Sequence, residues 1–234
     1  MKLTMPTGHA DAPHNKPALP PGPSTREEAA STAELAAELI RTRQTVLPKR
    51  LLSPGPDPTQ LNHILEAAAA APDHGKLTPW RFVIVPTAAR SRLAAAFEAA
   101  SMARDATASP EQLLQAGEKS YRAPCLMLAI AQTWEGDSGI DATERLVSAG
   151  CAIQNMLLMA TALGFGSALT SGKALGSQAL AELFELQPGE LALCFISIGS
   201  VGSRRPRPSR PELSAYVSAL QTLDDPVMPS RSRH

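Results

Sequence analysis

Three short apolar runs, far apart in the chain, limit the folds that this sequence can adopt. They cover residues 80–85 (WRFVIV), 125–130 (CLMLAI) and 191–198 (LALCFISI), and their length and their β-branched and aromatic content predict strands. A stretch with helical spacing of apolar residues precedes each run. Strands that are distributed between helices in this way predict a helix-rich α+β domain.

The longest apolar stretch spans residues 146–165, and residues 143–163 predict a helix whose apolar side chains cover most of its circumference. Such a helix is either the centre of the domain or half of a subunit interface. Ser148, Gln154 and Asn155 interrupt the segment and would be costly at the centre of a bilayer, so we do not expect a membrane span.

The remaining chain divides by composition. Residues 1–24 contain six prolines and few large apolar groups, which predicts a disordered tail. We expect one domain over residues 25–225 and a flexible C-terminus over residues 226–234. Within the domain, Thr59 is expected to cap a helix that ends before Pro72.

A further amphipathic helix is expected over residues 175–186, stopped by the Pro188-Gly189 pair.

Charge and cysteine content exclude several function classes. Lys plus Arg and Asp plus Glu both number 22, so the chain lacks the positive field that binding to nucleic acid or to an anionic membrane usually needs. The three cysteines stand far apart without a CxxC pair, and no apolar export signal stands at the N-terminus. These features predict reduced thiols and a cytoplasmic protein.

His63 and His74 lack the spacing and the neighbouring carboxylates or thiolates that a zinc site requires, so we expect no metal.

Four polar segments at the edges of the predicted elements are candidates for a ligand site. Residues 41–50 (RTRQTVLPKR) would suit an anion, or would only complement the dipole at a helix end. Residues 71–80 form a compact loop between a helix and a strand, which could bind a ligand or could be a capped turn. Residues 169–172 could present backbone N–H groups to a ligand or could be a tight turn. Residues 199–208 place three arginines after the last strand, and could equally be a solvated tail.

Together these segments resemble the flavin-dependent nitroreductase family, and in particular its small members, over residues 31–210. The most specific match is the sequence APDHGKLTPWRF at residues 71–82, which is similar to the family's APDH…PWRF block. Residues 164–172 (GFGSALTSG) resemble its second flavin segment, and residues 198–208 resemble its Gly-Arg-Pro ending.

The resemblance implies a homodimer with a central mixed or antiparallel sheet flanked by helices, and one FMN in each active site at the subunit interface. By the same resemblance, Arg43, Gln44 and Thr45 would hold the phosphate and the ribityl chain, and Arg205 and Arg207 would complete the phosphate site. Arg forks and hydroxyls are the groups that a phosphate calls for.

Around the flavin ring, the family usually has a Lys or Arg three residues after its Arg-Arg-Ser, but Pro48 stands there in this chain. Either Lys49 or Arg50 would then lie near the flavin pyrimidine. A cation there favours the negative charge that develops on hydride transfer. The resemblance also places His74 at the flavin of the partner subunit, and it places backbone groups against the ring at three consecutive residues, Thr170, Ser171 and Gly172.

The function expected from the resemblance is hydride transfer from NAD(P)H through FMN to an electrophilic acceptor such as a nitroaromatic or a quinone, with no catalytic side chain beyond the cofactor. Two alternatives stay open. One is a protein that only sequesters flavin or senses redox state. The other is a relative that cleaves flavin or dehalogenates an aromatic, for which residues 104–117 offer the only room for a lid.

Overall fold

The computed structural model describes residues 25–134, 139–203, 206 and 209–220. Its five strands are β1 (Leu51–Leu52), β2 (Trp80–Ile84), β3 (Cys125–Gln132), β4 (Gly166–Thr170) and β5 (Glu190–Val201). They form one sheet in the order β1-β5-β3-β2, with β4 also paired to β5, and every pairing is antiparallel. The three predicted strands are confirmed as β2, β3 and β5.

Six α-helices accompany the sheet in the described part of the chain: α1 (Arg26–Thr42), α2 (Pro58–Ala68), α3 (Arg90–Arg104), α4 (Pro110–Gly117), α5 (Ala142–Ala162) and α6 (Gln178–Leu183). Short 3-10 turns add one helical turn each, notably at Pro48–Arg50, Glu118–Tyr121 and Lys173–Gly176. None of the helices in the described ranges has both the length and the apolar character needed to cross a bilayer.

The sheet separates two apolar cores. On one face, α2 and α5 pack against residues such as Ile196 and Ile198 of β5. On the other face, α3 and α6 pack against Phe195 and against Leu128 of β3. Because side chains alternate along a strand, consecutive β5 residues serve opposite cores.

The start of α2 differs from the prediction. Asp57, rather than Thr59, is the N-cap: its carboxylate accepts from the Gln60 N–H at 2.8 Å, and the Gln60 side chain accepts from the Asp57 N–H at 3.0 Å. Pro58 then occupies the first helical position, which suits its fixed φ. Thr59 is therefore already inside the helix.

Helix α5 is not buried on every side within a single chain. Its inner face includes Ile153, Met156 and Leu157, which are buried against the sheet and α2. Thr143, Val147, Gly150 and Gln154 instead follow one another on an exposed stripe, and Val147 is 62% exposed. We call these four residues the α5 stripe.

Strand β4 was not predicted, and one predicted helix is shorter in the structure. Residues 166–170 form β4, although their small residues have low strand propensity, because pairing with β5 fixes the segment. A Cβ on Gly166 would lie 2.5 Å from Cγ2 of Val201, so only glycine allows this close approach. The helix expected over residues 175–186 is shorter, because the 3-10 turn at Lys173–Gly176 comes first and α6 ends at Leu183.

Candidate functional site

Two cavities adjoin at Leu47, which lines both. The smaller one, of about 400 Å³, is bordered by the end of α1, the start of β4 and the end of β5. The larger one, of about 640 Å³, lies between the sheet face that carries Phe195 and helices α3 and α4. Both volumes are within the range of small-molecule sites.

The smaller cavity is lined by a pair of guanidinium groups that no described lining carboxylate compensates. Arg43 and Arg210 both line it, and Nη2 of Arg210 donates to the carbonyl oxygen of Arg43 at 3.4 Å. Partial burial, and after it the charge of Arg210, lowers the pKa of Arg43. No Asp or Glu is among the described residues that line this cavity. An anion is the ligand that such an arrangement favours.

The fold positions Arg43 by joining two segments that are distant in sequence. The Arg43 N–H donates a hydrogen bond to the carbonyl of Leu39 at 3.1 Å, which completes the last turn of α1. After it, Thr45 forms a parallel bridge with Ser167 of β4, and the Val46 N–H donates to the Ser167 carbonyl at 2.9 Å. The expected phosphate segment and the expected ring segment therefore lie side by side.

The predicted residues of these segments divide between the cavities. Arg43, Gln44, Thr45 and Arg50 line the smaller cavity. The larger one is lined by Lys49 together with three residues at the end of β4 and just after it, Thr170, Ser171 and Gly172. The 3-10 turn at Pro48–Arg50 separates the two cations, so Lys49 is the one that borders the same cavity as residues 170–172.

His74 lines neither cavity of its own chain. Its Nδ1 lies 2.8 Å from Oε2 of Glu144 in the first turn of α5, and both side chains are exposed. The loop that carries it is held by Asp73, whose carboxylate accepts from the N–H groups of Leu77 and Thr78 at 3.1 and 2.7 Å. Both Lys76 and Thr78 have positive φ, a backbone strain that this clamp helps to maintain.

Sequence reasoning missed several cations. Arg210, which lines the smaller cavity, was not singled out, whereas the predicted Arg205 and Arg207 lie outside the described residues. The larger cavity is also lined by four unpredicted cations: Arg104, Lys119, Arg122 and Lys173. Lys173 directly follows the predicted residues 170–172, whereas no local pattern marks Arg104, Lys119 and Arg122, which reach the cavity only through the packing of α3 and α4 against the sheet.

Comparison with known proteins agrees with this fold. Residues 40–200 match the Nitroreductase family. A Haemophilus influenzae protein named "Putative NAD(P)H nitroreductase" is 33% identical over 165 residues, which are 70% of this chain and 88% of that protein. The chain therefore belongs to the Nitroreductase family, which confirms the expected family and the class of oxidoreductases.

Solved structures confirm the α+β fold. A nitroreductase-like family protein from Bacillus cereus superposes with a TM-score of 0.67 at 17% identity, over 80% of this chain and 96% of that one. A nitroreductase from Desulfitobacterium hafniense, solved with bound FMN, gives a TM-score of 0.57 at 21% identity, over 79% of this chain and 97% of that one.

Proposed function

We propose that this protein is an FMN-dependent NAD(P)H oxidoreductase that reduces an electrophilic acceptor such as a nitroaromatic or a quinone. The observation that supports it most is the junction of the two cavities, where a guanidinium pair on one side meets Lys49 and the end of β4 on the other. Family membership, the name of the Haemophilus influenzae relative and the FMN in the Desulfitobacterium hafniense structure support the same cofactor and co-substrate.

The smaller cavity fits the phosphate end of FMN. Arg43 and Arg210 would compensate the phosphate charge, and the hydroxyl of Thr45 and the amide of Gln44 would bind phosphate or ribityl oxygens. Arg50 lines the same cavity and adds a third cation. Arg205 and Arg207 stay predicted members of this site.

The boundary of the larger cavity fits the flavin ring. Lys49 would lie on the pyrimidine side, where its charge favours the reduced form, and backbone groups of Thr170, Ser171 and Gly172 would orient the ring. When bound, FMN supplies two-electron chemistry, accepting a hydride from NAD(P)H and delivering it to an acceptor. The protein residues bind and orient the reactants.

The net reaction with a nitroaromatic consumes one NAD(P)H and one proton and forms a nitroso compound, NAD(P)⁺ and water. With a quinone, the same donor and proton give a hydroquinone and NAD(P)⁺. The described lining of the larger cavity contains no carboxylate or imidazole, so we expect the proton to come from solvent or from a lining ammonium group such as that of Lys49.

The homodimer is part of the proposal. No residue of α1 is buried, and its apolar Leu35 and Ile40 are 71% and 56% exposed. The α5 stripe adds a second uncovered surface, on which a Cβ at Gly150 would meet no described atom beyond its own helix backbone within 4 Å. A second copy packed on α1 and α5 would cover both, and it would allow His74 to reach the flavin of the other subunit.

Replacement of Gly150 by arginine tests this interface. Because the single chain leaves room at Gly150, the variant should fold but should dissociate into monomers in sedimentation velocity, while wild type sediments as a dimer. Ala95→Arg, on the exposed face of α3, is the matched control and should stay dimeric. A Gly150→Arg protein that sediments like wild type would place the interface elsewhere.

We also propose that the three free thiols, Cys125, Cys151 and Cys194, reflect a cytoplasmic protein. The catalytic proposal itself is tested by adding NADH or NADPH to the FMN-loaded protein without oxygen, with a nitroaromatic or a quinone as acceptor. Acceptor-dependent oxidation of the nicotinamide supports an enzyme. Flavin binding without any such oxidation would instead identify a protein that only sequesters FMN.

A further inference from the structure

The part of the larger cavity's lining that comes from α3 and from the turn after α4 is positively charged. Arg104 ends α3, and Lys119 and Arg122 lie in and just after the 3-10 turn that follows α4. All three line the cavity together with Ser101 of α3. We call Arg104, Lys119 and Arg122 the basic wall.

No acid among the described lining residues compensates the basic wall. The described lining contains no Asp or Glu, while Lys49 and Lys173 bring the number of lining cations to five. None of the five forms an ion pair within the part of the chain that the structure describes. Hydrogen bonds from Thr107, and to a lesser extent the charge of Arg104, lower the pKa of Asp105, which is exposed and does not line the cavity.

The floor below the basic wall is apolar. Phe97, Leu126 and Phe195 line the cavity, and the rings of Phe97 and Phe195 meet edge to face with centroids 5.5 Å apart. A cavity with an aromatic floor and a cationic wall fits a planar ligand that has an apolar body and an anionic substituent.

The flavin does not account for the wall. Its phosphate has its own cations in the smaller cavity, and its ring would border Lys49 and residues 170–172 on the near side. The basic wall belongs to α3 and to the turn after α4, which the proposed FMN site does not use. It therefore borders the space that is left for the molecule that reacts with the flavin.

We infer that the electron acceptor of this protein is an anionic aromatic compound, such as a nitro- or quinone-bearing carboxylate, whose charged group binds the basic wall. This inference rests on the proposed function, because it specifies the acceptor of the same site. The redox step is the one given above: NAD(P)H and one proton reduce the nitro group to nitroso and release water, and the carboxylate stays unchanged.

The test compares two acceptors that differ in charge. 4-Nitrobenzoate and 4-nitrobenzamide have the same nitroaromatic body and nearly the same shape, but only the first is anionic. With the FMN-loaded full-length protein, we expect a kcat/KM for the benzoate at least about tenfold above that for the benzamide at low salt. The preference should shrink at about 0.5 M salt, since exposed charges are screened. Equal values at low salt would overturn the inference.

Removal of wall charges locates the effect. Each exposed cation is expected to contribute about two- to fivefold, so the Lys119→Gln/Arg122→Gln protein should lose about tenfold of the benzoate-to-benzamide ratio. Arg92→Gln, an exposed cation of α3 that lines neither cavity, should keep the wild-type ratio. Calorimetric binding of 4-nitrobenzoate to the oxidised holoenzyme should weaken by the same factor in the double variant. An unchanged ratio or binding constant would overturn the assignment to the wall.

Two outcomes distinguish a failure of the anionic acceptor from a failure of the proposed oxidoreductase function. If wild type reduces both acceptors without preference, the oxidoreductase proposal holds and the anionic acceptor is wrong. If neither acceptor nor a quinone supports nicotinamide oxidation, the proposed function itself fails.

The phosphates of the donor are the other anions that could bind the wall. If the double variant loses kcat/KM for NADPH relative to NADH while its acceptor ratio is unchanged, the wall binds the donor and our assignment is wrong.

Discussion

Replacement of Arg43 by methionine should separate ligand binding from folding. The side chain keeps its approximate length but loses its charge and its donors. In the protein without FMN, Arg43 is half-buried beside Arg210, and burial together with that like charge already lowers its pKa. Removal of the charge should therefore leave the melting temperature of the apoprotein unchanged or slightly higher.

The same change should weaken FMN binding. A charge-assisted hydrogen bond contributes about 1.5–3 kcal/mol, which corresponds to about 10- to 150-fold in affinity. Because Arg43 is only half-buried, we expect a loss near the lower end of this range. Titration of apoprotein into FMN, followed by the quenching of flavin fluorescence, measures the dissociation constant directly.

Arg41→Met is the matched control, since Arg41 lies two residues earlier on α1, is exposed and lines neither cavity. It should bind FMN like wild type. The reasoning is refuted if Arg43→Met binds FMN as tightly as the control. It is also refuted if apoprotein with Arg43→Met melts several degrees below wild-type apoprotein, because Arg43 would then be structural.

Three further predictions follow from other parts of the chain. Deletion of residues 1–24 should leave the FMN content unchanged, because a proline-rich polar segment has little apolar surface to dock; loss of flavin on deletion would contradict this. Glu190→Gln should lower the free energy of unfolding by about 1 kcal/mol at pH 7, because Glu190 accepts two hydrogen bonds from Arg81 at 2.6 and 2.7 Å. The hydrogen bonds from Arg81 lower the pKa of Glu190 in the folded protein. The stabilisation is therefore present above about pH 4.3, the pKa of an unfolded Glu, and is lost as the pH falls through the lower pKa of the folded state. Urea unfolding in which the wild type and the variant still differ in full at about pH 2 would contradict it. Burial raises the pKa of Cys194 to about 11 and also raises that of Cys125. Neither thiol should therefore react with iodoacetamide at pH 8 in the native state. Mass spectrometry that shows either one alkylated would contradict this.

Strands were predictable where the apolar pattern is local and were missed where pairing alone defines them. The runs that became β2, β3 and β5 are rich in large apolar residues, so sequence alone indicated them. Strand β4 is different, because it begins Gly166-Ser167-Ala168 and is extended only through its ladder with β5. Small residues give no strand signal. At Gly166, however, the close approach of the neighbouring strand requires a small residue.

The candidate site was predictable to the extent that its residues are contiguous. Residues 43–45 and 170–172 form short segments that resemble a known family, and each segment lines one of the adjoining cavities. The basic wall could not be found in this way, because its three residues come from the end of α3 and from the turn after α4. Only tertiary packing brings them to the cavity that Lys49 also lines.

The visible absorption spectrum of the purified full-length protein tests the central claim most directly. We expect a yellow protein with the bands of oxidised flavin, from which heat releases FMN rather than FAD, since the smaller cavity offers Arg43 and Arg210 as cations for one phosphate. If the protein is isolated without flavin, added FMN should restore the spectrum. A protein that stays colourless and does not bind added FMN would contradict the account.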